Sequence, residues 1–309
     1  MDKINFVAFG VIFDDIVSPE GHTHMKVLGG GGPQTAFGMR LWSPEVGLAA
    51  GVYKDDLEFI NSWLSRSEID QAGIRSSSLP TPRAWQLLET DGRRTQVWRV
   101  SQETIQNQLH RSVGDLPADY RQASGFHFGI HPDTPDLDFM AFLHEFGGIV
   151  SVEPFKPADE VPTPKELRNL LTNIDIFSAN QLEAYSLVSV ADPKEQALAL
   201  AEAGARVVVI RLGSGGSLVL EGLTGKWARI PAVPVQVIDP VGAGNAYCGG
   251  FLVGWSQTKD LKTAGMYGAV AASFLVEQVG VPTRYPELDV TKQGRLKMID
   301  SLIEVAKID

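Results

Sequence analysis

Short apolar runs bounded by glycine or polar residues recur along this chain, and most are followed by a segment with helical spacing. Residues Ile4 to Gly10, Val46 to Gly51, Gly125 to Gly129, Gly148 to Val152, Ile174 to Ser178 and Arg206 to Leu212 are runs of this kind. Apolar stretches this compact suit strands covered on both faces. Helical patterns lie between and after them, at Gln34 to Trp42, Leu57 to Arg66, Leu137 to Phe146, Glu166 to Leu171, Pro193 to Ala203, Ala243 to Ser256, Leu261 to Val276 and Gln293 to Ala306. The alternation predicts an α/β fold, a parallel sheet sandwiched between helices. Thr23 to Leu28, Arg83 to Glu89 and Thr95 to Val100 read instead as exposed β segments, the last two flanking a hairpin signal at Asp91-Gly92. They do not fit the sheet and are expected to pair over one edge of it. Pro154 to Pro164 reads as a surface loop. The expected organisation is one domain over 1–309, with a small β lid formed near 11–28 and 83–100.

At 309 residues, a chain of this kind can bury about three-quarters of its unfolded surface. Its 27 basic and 37 acidic side chains leave a formal charge of −10, which argues against a nucleic-acid partner because phosphate contacts need a basic face. Any anion it binds is held by local backbone geometry and not by bulk charge. A single cysteine, Cys248, excludes an intramolecular disulfide and a thiolate zinc cage. No apolar stretch approaches the ~20 residues of a membrane helix, and the N-terminus does not resemble a signal peptide. The expected setting is cytoplasmic, with no membrane partner.

The sharpest local signal is Asp239-Pro240-Val241-Gly242-Ala243-Gly244-Asn245, which links the apolar run Ala232 to Ile238 to an apolar helix. Glycines there let backbone N–H groups converge, and the helix start adds positive potential. A phosphate is the natural guest; a plain tight turn into a helix is the alternative.

The stretch resembles the signature of the ribokinase-like (PfkB) family of sugar and nucleoside kinases, D-x-x-G-A-G-D. Four further segments resemble that family in its order. They are Gly10 to Asp15 as the first strand, Gly29 to Ala36 (GGGGPQTA) as the substrate loop, Asn180-Gln181-Leu182-Glu183 as N-x-x-E, and Val207 to Leu220 as the strand–turn–strand beside the nucleotide. The resemblance implies a ribokinase-like three-layer αβα sandwich with a β lid, binding ATP and Mg²⁺ and acting on a small polyol, sugar or nucleoside. It places Gly242, Ala243 and Gly244 at the anion hole. Asp15, Gly30, Gly31 and Gln34 fall at the acceptor, Asn180, Arg211, Gly213, Gly215 and Gly216 at the nucleotide, and Glu183 at the metal. Asp239 is implied at a monovalent cation such as K⁺. An exposed β lid also invites a homodimer.

One departure stands out. The family's catalytic base is the Asp closing the signature, and here that position is Asn245. An amide cannot accept the hydroxyl proton, and losing a positioned base costs about 10²–10⁴-fold in rate. This trait, with Arg211, the GGGG loop and Val152-Glu153-Pro154, resembles the maintenance-of-killer-like branch known from fungi. Glu153, ending a strand, and His131, following one, are the candidate replacement bases. Asp14 reads as solvated. Asn180 and Glu183 also fit an N-cap with a solvated i+3 glutamate, though the functional reading is favoured; at least one of Gly213, Gly215 and Gly216 fits a plain turn, and Arg211 equally fits a strand arginine capped by an acidic neighbour. Cys248 reads as a small buried thiol. Trp85 and Trp98 either cover the acceptor or seal a dimer.

Two functions are therefore carried forward. One is ATP-dependent phosphoryl transfer to a sugar or nucleoside hydroxyl, slowed at Asn245. The other is a pseudokinase whose bound nucleotide regulates assembly. A Rossmann-type dehydrogenase is a weak third reading, because no G-x-G-x-x-G follows the first strand.

Overall fold

The computed structural model describes residues 3–90, 94–283 and 285–307; the hairpin signal at Asp91-Gly92 lies outside them. Fourteen strands occur among the described residues. β1 (Phe6–Phe9), β4 (Val46–Tyr53), β5 (Asp70–Ser77), β8 (Gly125–Ile130), β9 (Ile149–Pro154), β10 (Ile176–Asn180) and β11 (Val207–Arg211) run parallel to one another. β12 (Ser217–Glu221), β13 (Lys226–Ile230) and β14 (Glu304–Lys307) continue the same sheet as an antiparallel meander. The strand order is β14-β13-β12-β11-β10-β9-β8-β1-β4-β5. The sheet is thus mixed and not purely parallel as the alternation implied.

The remaining strands, β2 (Ile12–Val17), β3 (Thr23–Gly29), β6 (Arg83–Leu88) and β7 (Arg94–Trp98), form a separate four-stranded sheet in the order β3-β2-β6-β7. One helix read from periodicity is corrected at its end. The segment Gln293 to Ala306 does not stay helical: the helix closes at Asp300, and Glu304–Lys307 pairs antiparallel on β13, with Ala306 opposite Trp227. An open sheet edge with unpaired backbone groups outweighed the local pattern.

Helices cover both faces of the large sheet because β1 and its neighbours bury alternate side chains on each. Phe6 and Ala8 pack with α1 (Gly31–Arg40), α2 (Leu57–Arg66), α9 (Ala243–Thr258) and α10 (Leu261–Leu275), through Phe37, Leu64, Phe251 and Phe274. Val7 and Phe9 pack on the other face with α5 (Leu137–Glu145), α6 (Pro164–Leu171), α7 (Gln181–Val188) and α8 (Pro193–Glu202), through Phe139, Leu171, Leu187 and Leu200. The smaller helices α3 (Gln102–Leu109) and α4 (Ala118–Arg121) sit between strands, and α11 (Tyr285–Asp300) precedes the last one. Each fully buried side chain of this size contributes roughly 1.5–3 kcal/mol, so two such clusters fix three layers. No helix among the described residues is long and apolar enough to cross a membrane.

Candidate active site

Ligands of open α/β sheets bind beyond the C-terminal ends of the parallel strands. Here that crest carries Gly10 after β1, Glu153 on β9, Asn180 on β10 and Arg211 on β11, and the N-terminus of α9 meets it. The turn before α9 is held by Asp239, buried, whose carboxylate accepts a hydrogen bond of 2.9 Å from the Val241 N–H. Burial pushes Asp239 above the usual carboxylate range. Gly242 is the N-cap with φ +84°, a conformation that side chains rarely adopt, and no side chain caps the helix. A Cβ on Gly242 would also strike the amide of Gln34.

Gln34 itself is buried in α1 and does not reach outward alone: its Oε1 accepts a hydrogen bond of 2.5 Å from Nδ2 of Asn245. Thr35 donates through Oγ1 to the Asn245 carbonyl at 3.2 Å. The helix after the GGGG loop and the helix after the anion turn are therefore joined at their N-terminal turns, with Gly30, at φ +78°, capping the first. Gly31 has open space where a side chain would be.

Arg211 fills the floor between the turn and the strand ends. Its Nη1 donates to Glu153 Oε2 at 2.5 Å and its Nη2 to Glu183 Oε2 at 3.2 Å. A Cβ on Gly244 would collide with Nη1, so the guanidinium lies directly against the first turn of α9. Arg211 is thus a strand arginine paired with two acidic side chains, Glu153 and Glu183. Burial works against ionisation of Glu153, but Arg211 and then His127 outweigh it and hold the carboxyl at about 2. Glu183 is raised above its ordinary value by burial, against the pull of Arg211. Asn180 and Glu183 form a reciprocal capping box: Asn180 Oδ1 accepts from the Leu182 and Glu183 N–H groups at 2.9 and 2.8 Å, and Glu183 Oε2 accepts from the Asn180 N–H at 2.7 Å.

The two aspartates of β2 exchange the places expected of them. Asp15 does not face the glycine loop. It is fully buried, takes a bidentate pair of 2.7 Å bonds from Arg83, contacts Arg99 and accepts the Lys26 N–H at 2.8 Å. Asp14, expected to be solvated, is 2% exposed and is the one aimed at the loop. A Cβ on Gly29 would strike its carboxylate, and it accepts from the Gly30 N–H and from Gln86 Nε2, the latter at 2.7 Å. Burial raises Asp14 to about 6, assisted by the charge of Asp239 and opposed by Gln86, Arg94 and the Gly30 N–H. Successive strand side chains point to opposite faces, so a shift of one position exchanges the two roles.

The other candidates separate cleanly. His131 pairs with Asp133 at 3.3 Å and meets Phe155 edge-on. Gly213 to Gly215 form one 3₁₀ turn between β11 and β12, and Gly216, at φ +81°, abuts the Ile230 carbonyl; the plain-turn reading describes them. Cys248 is buried, and burial pushes its thiol up. Trp85 lies under the Arg99 guanidinium at 4.8 Å. His127 was missed: it bridges Ser151 Oγ at 2.9 Å and Glu153 Oε1 at 3.3 Å from the middle of β8. Its signal was a lone polar residue in an apolar run, in register with Ser151.

A divalent metal held between Glu153 and Glu183 does not fit the donor set. Mg²⁺ needs near-octahedral oxygen ligands. Glu153 and Glu183, the carboxylates beside the anion turn, share one guanidinium, and Asn180 spends its side-chain oxygen on two backbone N–H groups.

A profile of the pfkB family carbohydrate kinases matches residues 3–288. The chain is 26% identical to a cytidine kinase of Thermococcus kodakarensis over 282 residues, 90% of this chain and 98% of the relative. It is 29% identical to protein MAK32 of Saccharomyces cerevisiae over 168 residues, 47% of this chain and 46% of that one. Among solved structures, ribokinase from Giardia lamblia superposes with a TM-score of 0.74 at 20% identity, covering 95% of this chain and 99% of the other, which places the fold in the ribokinase class.

Proposed function

Because this chain belongs to the pfkB family of carbohydrate kinases, we propose that it transfers the γ-phosphoryl group of ATP to a hydroxyl of a small sugar or nucleoside. The hydrogen bond from Asn245 to Gln34 carries the reading, since it joins the glycine loop to the anion turn across 211 positions of sequence. A nucleoside is the favoured acceptor class, as in the cytidine kinase relative.

In this reading the triphosphate end meets the first turn of α9, Gly242 to Asn245, and the Arg211 guanidinium. The acceptor lies against Gly29 to Gly31 and Asp14, under the four-stranded sheet acting as a lid. A second copy of the chain against that sheet is the protein partner we expect. Phosphoryl transfer has a loose transition state, so positioning and electrostatics carry most of the rate and the proton leaves late. Asn245 orients without accepting that proton. Glu153 is no substitute, being tied to Arg211 and held at about 2. Asp14, buried and raised to about 6, is the carboxylate we assign to orienting the hydroxyl and taking its proton. Asp239 is assigned to holding the anion turn and not to a K⁺ ion.

The test is ADP release across a panel of sugars and nucleosides, wild type against Asn245→Asp. Acceptor-dependent release by the wild type is expected, faster in the variant by up to about 10²-fold. Release only by the variant would mark an intact scaffold whose chemistry is switched off at Asn245, the regulatory module. No release by either, with ATP bound, would refute the transferase reading.

A further inference from the structure

We infer that the Arg211 guanidinium is the resident cation of the phosphate site, standing where a protein-bound divalent metal would otherwise stand. The inference rests on the kinase reading for the identity of the anion, and on geometry alone for the exclusion of the metal.

The two carboxylates at the ends of β9 and α7's first turn, Glu153 and Glu183, converge from different strands' ends on one positive group, and that group is Arg211. Both terminal nitrogens of the guanidinium are used in this clamp, which fixes its plane. Its Nε is buried with no hydrogen-bond partner among the described residues, and lies 3.8 Å from where a Gly244 Cβ would stand. A buried N–H donor left unsatisfied at the opening turn of a helix calls for an acceptor, and a phosphate oxygen is the one the turn is built to receive. Guanidinium remains charged in any such setting and presents N–H groups in a fixed fork.

The same geometry excludes a divalent ion held between Glu153 and Glu183. A second cation between Glu153 and Glu183 would have to displace Arg211 from both, against like charge. The neighbouring set His127, Glu153 and Cys248 lies within 4.8 Å of mutual contact, yet it shares Glu153 with Arg211 and meets the same obstacle. Any Mg²⁺ would therefore travel with the nucleotide, on phosphate oxygens and water, with no carboxylate of this site as ligand.

Two measurements on the unmodified protein test this. Mn²⁺ added to the nucleotide-free protein and followed by electron paramagnetic resonance should show no uptake that Glu183→Gln removes. ATP affinity by calorimetry should change by no more than about threefold between excess Mg²⁺ and EDTA. Arg211→Met should reverse both: the freed carboxylates take up Mn²⁺, Glu183→Gln on that background abolishes the uptake, and ATP binding becomes dependent on Mg²⁺ by about tenfold or more. Arg211→Lys, which keeps the charge and is milder to the fold, should keep Mn²⁺ out. Mn²⁺ uptake by the wild type that Glu183→Gln removes, or loss of wild-type ATP binding in EDTA alone, would overturn the inference. Absence of ATP binding under every condition would refute the kinase reading instead, and the Mn²⁺ result would still decide whether Arg211 holds the cation position.

Discussion

Replacing Asp14 with asparagine separates the acceptor carboxylate from its neighbour in a way both stability and activity can read. In the folded protein Asp14 rises from 3.8 to about 6, chiefly by burial. A group raised in this way costs nothing while both states are protonated, below about pH 4. The cost grows as pH rises toward the folded value and is flat above it. A shift of this size corresponds to roughly 3 kcal/mol at neutral pH. Asparagine keeps an oxygen for Gln86 but turns an N–H₂ toward the Gly30 N–H, a penalty of about 1–3 kcal/mol that does not vary with pH.

The informative quantity is therefore the change in the stability gap with pH. Urea unfolding of both proteins from pH 4 to 7 should show the gap moving in the variant's favour by roughly 3 kcal/mol. Glu183 is also raised but contributes to both proteins alike, and Asp239, relieved of the Asp14 charge in the variant, moves the gap in the same direction. Glu153, held at about 2, begins to lose its stabilisation as pH falls through its ordinary value of 4.5, but it does so in both proteins and leaves the gap unchanged. A gap that is constant over the whole interval would refute the reasoning, because Asp14 would then ionise as freely in the fold as out of it. The same variant should bind ATP, seen as a raised Tm, and release no ADP with any acceptor. Undiminished acceptor-dependent release would remove Asp14 from the mechanism.

Asp15→Ala should instead destabilise the protein by about 3 kcal/mol, by leaving Arg83 and Arg99 without their shared partner, while the Tm increment given by ATP stays unchanged; chemical denaturation with and without ATP checks both. Gly244→Asp should abolish the ATP-dependent rise in Tm, because the new carboxylate stands between Arg211 and the incoming phosphates; a preserved rise would place the nucleotide elsewhere.

Much of the architecture was legible because the parallel strands are apolar on both faces and are punctuated by glycine. What was missed shares one cause. β5 and β13 carry polar or charged residues on a half-exposed surface, and β14 is a four-residue edge completed only by pairing with β13. In β2 the burial of four successive residues, Phe13 to Ile16, leaves no polar-out alternation from which to tell Asp14 from Asp15. Only the position of Gly29 and Gly30, set by the β2–β3 pairing of Ile12 with Gly29, separates them. N-x-x-E spacing fits both a cap box and a metal site; the structure shows the cap box, and the distant partner Arg211, which pairs with Glu183, is visible only in space.

Asn245 and Arg211 act in the same direction. Beside a triphosphate, an aspartate at 245 would add a third carboxylate to Glu153 and Glu183. At about 6 Å and an effective dielectric of about 20, each unit of phosphate charge would then be opposed by roughly 3 kcal/mol. The amide removes that term and the guanidinium adds an attraction of the same order. Both changes favour the bound nucleotide, but an interaction equal in ground and transition states does not speed the chemical step. In the proposed reading, such a site holds ATP firmly and turns it over only as fast as Asp14 takes the proton, so Asn245→Asp should raise turnover and weaken ATP binding together. A variant that gained rate with no loss of ATP affinity would show that the charge at 245 is not felt by the phosphates.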